Sequence, residues 1–359
     1  MNKNTDFILL DAGFGICGII EDYSELHWVR RYFKCGEFSL TLPPGTKELA
    51  AGARYIYNPY NAETAVIEEL KITSDPAGGR SLTVSGRMLE SLLFLRTIYG
   101  VANITGNAEA AARQLVQSHA MTGERAIPGL VLGEIIGHPE EVYAQYSEIS
   151  LGEALYAMLG SVGLSPRLSY DFDSSALVFT VATGLDRTQN QTENSWAIFS
   201  SEFENVRSVL YQYSELDLRN FFYIAGQIEN DGSRKLVTLD LSAGRERREL
   251  FVDARSVRRS YKDEFGITHT ATDAQYAEML RGRGYEVAAE HAAVELVVGT
   301  VASELPPVYR EDYDLGDICD FYDTSLGIQR AMRITEIIEH WSSGVFSVNL
   351  KLSDKRYIT

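Results

Sequence analysis

Gly13, Gly15 and Gly18 in "DAGFGICGIIED" follow the apolar run "FILL" in the order G-x-G-x-x-G. Such a turn cradles a pyrophosphate when a strand feeds it and a helix leaves it, so that backbone N–H groups converge on the anion. Glu37 stands near the distance at which a ribose-binding acid follows. What comes after Gly18 is not helical, however. Leu26, Trp28, Arg30 and Tyr32 alternate, and Phe38, Leu40 and Leu42 alternate after Gly36, a period that predicts strands and a hairpin. The glycines are therefore expected at bends between strands, and no cofactor is expected.

Other residue types capable of chemistry lack the spacing for it. His27, His119, His138, His269 and His340 form no H-x-x-x-H or H-E-x-x-H pattern that would set two metal ligands on one helix face. Neither a G-x-S-x-G elbow nor a P-loop occurs. Cys17, Cys35 and Cys319 leave an odd thiol under any pairing and are expected as small buried apolar residues. The densest acidic cluster, Glu311, Asp312, Asp314 and Asp317 in "REDYDLGD", lacks the glycine of a calcium loop at its sixth position and reads as a solvated loop leading into a strand. Arg245, Arg247, Arg248, Arg255, Arg258 and Arg259 are interleaved with acids, the texture of a solvated edge. Catalytic, cofactor-binding and metal-binding residues are accordingly read as none, and the chain as a non-enzyme.

The elements that would position any site are mostly strands. Residues 1–100 read as a first β unit, with Val66, Glu68, Leu70 and Ile72 alternating up to a turn at Asp75 to Gly79, and Leu82 and Val84 alternating away from it. Residues 101–190 read as an α+β insert. Its first helix follows Asn107, and its second opens on a Ser150/Glu153 capping box. Residues 191–359 read as a second β unit with a helical segment near 272–293, loosened by Gly282 and Gly284. The hairpin "VIEELKIT…SLTVSG" shares its layout with "MRITEIIEHW…VFSVNLKL", the pattern of an internal duplication. The expected class is α+β, mainly β: two related barrel-like β domains, a small α+β insert and a further helical segment.

Composition narrows the function classes. A length of 359 residues predicts more than one domain. A net charge of −17 argues against stable nucleic-acid binding. The longest apolar stretches are too short for membrane insertion, and "MNKNTDFILLDAG" opens without a secretory signal. The 20 tyrosines exceed what cores alone require, and Tyr and Arg are enriched at protein interfaces.

Three blocks carry a resemblance. They are "ELHWVRRYFKCGEFSLTLP", with Trp28, Arg30, Arg31, Tyr32, Gly36, Glu37 and Phe38; "IEELKIT…LTVSGRMLESLLFLRTI", with Glu68, Gly86, Arg87, Leu92 and Leu93; and "YREDYDLGDICDFYDTSLGIQRAMRITEIIEHW", with Asp312, Tyr313, Asp314, Leu315, Gly316, Asp317 and Ile334. In this order the chain resembles the siphophage and prophage tail proteins that supply baseplate hubs. The resemblance implies a homotrimer forming a pseudo-sixfold ring between the tail tube and the tail tip of a phage or tail-like particle, assembled in the bacterial cytoplasm. It implies as partners the tail tube or distal tail protein, tail-tip, spike or fibre proteins, and a tape-measure protein. The expected assembly-interface residues are Trp28, Arg30, Arg31, Gly36, Glu37, Gly86, Arg87, Asp312, Asp314, Gly316 and Asp317. Because the chain ends at Thr359, just after its last strand, a fused peptidoglycan hydrolase is not expected. The alternatives are a tail-tip enzyme using a carboxylate pair and a receptor- or carbohydrate-binding protein.

Overall fold

Asp11 accounts for the glycine-rich turn. Its Oδ1 accepts hydrogen bonds from the backbone N–H of Gly13 at 2.8 Å and of Gly15 at 2.9 Å, an Asx-type turn. The chain then reverses, so that β1 (Phe7–Leu10) and β2 (Ile16–Ile20) pair antiparallel. The nucleotide fingerprint is thus a hairpin tip. The computed structural model describes residues 6–354 except 75, 77, 78, 263–266, 303 and 343, so most of the turn expected at Asp75 to Gly79 lies outside the described residues.

Five strands follow: β3 (Glu25–Arg31), β4 (Glu37–Leu42), β5 (Tyr55–Asn58), β6 (Glu63–Ser74) and β7 (Arg80–Met88). They pair antiparallel in the order β3-β4-β7-β6-β5. Leu26, Trp28, Phe38, Leu40, Leu82 and Val84 are buried on one face, as the period-2 alternation requires. The β6/β7 ladder shifts register between Ile67 and Glu69. Gly86 sits opposite this bulge, where an added Cβ would lie 1.9 Å from the Val66 carbonyl oxygen. Since the clash is with backbone, Gly86→Ala is expected to cost about 1–3 kcal/mol, read as a lowered denaturant midpoint; an unchanged midpoint would refute the close approach.

The C-terminal strands repeat this plan: β8 (Val206–Ser214), β9 (Val294–Val301), β10 (Ile318–Asp323), β11 (Ile328–Ser342) and β12 (Val345–Asp354). They pair as β8-β9-β12-β11, with β10 on β11, and all these pairings are antiparallel. Chain order and spatial order both match the first set. The bulge recurs too, between Ile334 and Glu336 of β11. At the bulge the row Ile67–Gly86–Phe38–Trp28 crosses the first repeat, and Ile334–Leu352–Val297–Tyr211 crosses the second. The duplication suggested by two hairpins therefore extends to the whole strand set.

The repeats share one sheet, because β11 pairs with β3. The mainly β, α+β class is as expected. Among the described residues no sheet closes into a barrel: the strand path runs open from β8 to β2.

Two inserts leave this sheet. The first holds α1 (Ala108–Ala120), capped by Asn107, and α2 (Leu151–Ser161), opened by the complete Ser150/Glu153 capping box. With the hairpin Ser165–Asp171/Ala176–Ala182 they bury Leu115, Leu155, Met158, Leu159 and Phe179 in one core. Phe14, from the β1–β2 turn, stacks between Tyr55 and Tyr170 at centroid distances of 4.1 and 3.9 Å and ties this insert to the first repeat. The second insert interrupts the second repeat between β8 and β9. Its strands Phe221–Ile228, Arg234–Asp240 and Glu249–Asp253 form a separate sheet against α3 (Asp273–Glu290), around Phe222, Ile224, Tyr276 and Leu280. Alternation alone assigns these strands to the second β unit, yet their burial partners are the helix residues. Among the described residues no helix is long and apolar enough to cross a membrane.

Candidate assembly interface

The seam between β11 and β3 is held by more than ladder bonds. Arg30 points into it with a side chain only 10% exposed. Its Nε donates to Glu63 Oε1 at 2.6 Å, and its Nη1 donates to the Tyr309 hydroxyl at 2.8 Å and to Asp314. Trp28 Nε1 donates to the other Glu63 oxygen at 3.0 Å. Tyr309 in turn donates to Glu339 at 2.7 Å, and Asn61 Nδ2 reaches both Glu339 oxygens at 2.7 and 2.9 Å. Burial pushes the Glu339 carboxyl up to about 7, against the hydrogen bonds from Tyr309 and Asn61 and the charge of Arg30. Burial also opposes ionisation of Asp314, but the adjacent Arg30 outweighs it and holds that carboxyl below its ordinary range. Glu339 is 1% exposed, and its hydrogen-bond partners all lie in the seam.

The acidic cluster is only partly a solvated loop, with Glu311 exposed and Asp312 and Asp314 half-buried. Asp317 is buried; its Oδ1 accepts from Leu185 N at 2.7 Å and its Oδ2 from Arg187 Nε at 2.6 Å. Asp312 caps the turn through Val308 N at 2.7 Å. Gly316 has φ +95°, and an added Cβ would lie 2.5 Å from the Tyr32 ring. The loop turns inward because Arg30 and Arg187 provide charge partners that spacing alone does not reveal. Of the cysteines Cys319 is buried as expected, Cys35 is half-buried, and Cys17 departs from expectation in being exposed, since it lies on the open strand β2.

The expected interface residues thus divide. Trp28, Arg30, Asp314, Gly316 and Asp317 contact this chain's own interior, as do Gly36 and Gly86, where an added Cβ would meet the Val29 and Val66 carbonyl oxygens. Arg31, Glu37 and Arg87 lie on the opposite, polar face of the sheet. There Arg31 pairs with Glu37 at 2.6 Å and Glu336 at 2.7 Å, and Arg87 pairs with Glu68 at 2.6 Å. Hydroxyl residues such as Ser39, Thr41, Thr83 and Ser85 occupy the rest of that face on β4 and β7.

The repeat also exposes what the seam buries. Counting from the bulge, Leu70 and Ile72 of β6 correspond to Ile337 and Glu339 of β11, and Tyr211 of β8 corresponds to Trp28 of β3. Ile337, Glu339 and Trp28 are 0–1% exposed, whereas Leu70, Ile72 and Tyr211 are 37%, 46% and 36% exposed. Strand β8 ends the strand path, and β5 pairs with β6 only over Glu63 to Val66.

The model of the Siphovirus ReqiPepy6 Gp37-like protein family matches residues 7–352. The chain belongs to that family. This bears out the resemblance to siphophage and prophage tail proteins read from the three sequence blocks. Solved structures share the Gp37-like chain's fold at low identity. The prophage MuSo2 43 kDa tail protein from Shewanella oneidensis aligns with TM-score 0.61 at 13% identity, over 99% of this chain and 100% of that one. The tail protein from Neisseria meningitidis MC58 aligns with TM-score 0.59 at 14% identity, over 98% and 96%. Prophage tail protein gp18 from Listeria monocytogenes EGD-e aligns with TM-score 0.53 at 12% identity, over 98% and 95%. No curated protein matches by sequence.

One cluster in this Gp37-like chain escaped the sequence reading. His27 of β3 and His340 of β11 are directly opposite across the seam, with ring centroids 4.4 Å apart. Glu25 Oε1 lies 3.1 Å from His27 Nε2 and 3.7 Å from His340 Nε2. Helical ligand spacings could not find it, because the fold joins residues from the two ends of the chain.

Proposed function

We propose that this chain is a structural hub subunit of a phage tail or tail-like particle, three copies of which close a pseudo-sixfold ring between the tail tube and the tail tip. The observation that carries this reading is the repeat with its unequal edges. Within a chain, β11 of the second repeat pairs with β3 of the first. The equivalent strands, the distal half of β6 and β8, expose Leu70, Ile72 and Tyr211 where the seam buries their counterparts. Pairing β6 of one copy with β8 of the next reproduces the seam between chains. Such a head-to-tail contact closes into a ring when its rotation fits. Three chains with two repeats each then give six similar units, a match for a sixfold tube above and a threefold tip below.

The polar face of the sheet, rich in hydroxyls and internally paired charges, suits a lumen through which DNA or a tape-measure protein passes without adhering. The reading makes tube or distal tail proteins and tip, spike or fibre proteins the axial neighbours, and the virion tail tip the final location. Family membership and the fold shared with tail proteins support it.

The repeat register gives a direct test. Trp28 faces Glu339 across the seam, so Tyr211 is expected to face Ile72 of the next copy, and Tyr213 to face Leu70. In a Cys17→Ser background, Ile72→Cys/Tyr211→Cys should form covalent dimers and trimers on oxidation, because facing antiparallel residues lie within disulfide reach. Each single variant should form at most a dimer. A native mass of one 40.0 kDa chain at micromolar concentration, together with no covalent trimer, would overturn the ring.

A further inference from the structure

We infer that Glu25, His27 and His340 form a binding site for one transition-metal dication, which staples β3 to β11 across the seam. The argument is independent of the ring, because all three residues belong to one chain.

The geometry is convergent. The two imidazoles present Nε2 to the same carboxylate oxygen, at 3.1 and 3.7 Å, and the three ligand atoms lie within 4.8 Å of one another. Metal–nitrogen and metal–oxygen bonds of about 2.0–2.2 Å can reach an ion placed among them through side-chain rotation alone. The backbone is already fixed by the ladder, in which His27 faces His340 and Glu25 faces Ser342.

The surroundings leave room. Ser39 flanks His27 and Ser347 flanks His340 in the same cross-strand row, so small hydroxyl side chains border the pair on the neighbouring strands. The ligand side chains are 31–47% exposed, which gives an ion an entry path and leaves its remaining coordination positions to water.

The donor set selects the metal. Two imidazoles and one carboxylate suit Zn²⁺, Ni²⁺, Co²⁺ and Cu²⁺, whereas Mg²⁺ and Ca²⁺ require mostly oxygen ligands. The repeat supplies no second copy, since Leu210 and Thr73 occupy the positions equivalent to His27 and His340. The expected stoichiometry is therefore one ion per chain. Its effect is mechanical as well as thermodynamic, because an ion that binds only the paired strands raises the stability of that pairing.

The test uses the tag-free full chain stripped with a chelator. Titration with Zn²⁺ and Ni²⁺ should show one site per chain at micromolar concentrations and a raised thermal midpoint. Bound Cu²⁺ should give an electron paramagnetic resonance signal with two coordinated nitrogens. His27→Gln and His340→Gln should each weaken binding at least tenfold, and the double variant should abolish it, while Mg²⁺ and Ca²⁺ leave the midpoint unmoved. The polar, half-exposed positions should tolerate these changes, and the nitrogen count on the unaltered chain stands whether or not a variant folds. Absence of binding by Zn²⁺, Ni²⁺ and Cu²⁺ at 100-micromolar concentrations, or binding unchanged in the double variant, would overturn the site.

Discussion

Arg30→Ala is expected to destabilise the folded chain by about 1–3 kcal/mol at neutral pH, less than for a fully buried ion pair because its carboxylate partners are partly exposed. Arg30 is the cation that Glu63 and Asp314 share in the seam. Without it Glu63 and Asp314, 27% and 43% exposed, lose their charge partner, and the Tyr309 hydroxyl loses its donor. Asp314, which Arg30 holds below its ordinary range against burial, can take up a proton once that charge is gone, so the loss should shrink at pH 5. Urea unfolding followed by tryptophan fluorescence reads this directly, because Trp28 is bonded to Glu63 in the same network. A loss below about 1 kcal/mol at pH 7.5, or an equal loss at both pH values, would show that the seam does not depend on this charge.

Glu339 should impose an opposite-sided pH dependence. Its carboxyl is raised from 4.5 to about 7 in the folded chain. Between those values the folded form holds a proton that the unfolded form has released, so this group's contribution falls as pH rises through the interval and levels off above about 7. At about 1.4 kcal/mol per pH unit the loss amounts to about 3 kcal/mol. Asp314 and Glu37, held low in the folded state, lose their contributions only as pH falls through their folded values, in a separate acidic window. Glu339→Gln should flatten the decline between pH 5 and 8. The amide can be accommodated because Asn61 Oδ1 has no partner among the described residues, and rotation of that side chain would offer it as an acceptor. A variant whose stability still falls by the same amount across that range would assign the proton elsewhere.

What the sequence revealed follows from the range of the interactions involved. The hairpin at Gly13 to Gly18, the Asn107 cap and the Ser150/Glu153 box depend on residues a few positions apart, and all were legible. So was the shared layout of the two long hairpins. The seam was not, because Arg31 meets Glu336 at a separation of 305 residues and no local period marks which strand edge will be covered. The same distance hid the charge partners of Asp314 and Asp317, so that a loop whose end at Asp317 is buried read as fully solvated, and it hid His340 from His27. Gly282 and Gly284 suggested a weakened helix. The helix α3 runs through both where it was expected, and the Tyr143 carbonyl oxygen lies where a Cβ on Gly282 would be. The extra sheet of the second insert was merged with its neighbours because alternation reports a half-buried strand without naming what buries it.

The unequal placement of the inserts sets an order of folding. In the first repeat β3 to β7 follow one another between residues 25 and 88, so its ladders close over short loops as soon as that segment leaves the ribosome. The second repeat cannot close β8 against β9 until the intervening insert has been synthesised and its ends brought together. β3, in turn, must wait for β11. Through most of synthesis the outer edge of β3 therefore stands open beside Leu26 and Trp28, a template for mispairing with other nascent chains. The charges of Glu25, Arg30 and Arg31 on that strand guard it during the interval, and they are the same groups that later bond across the seam.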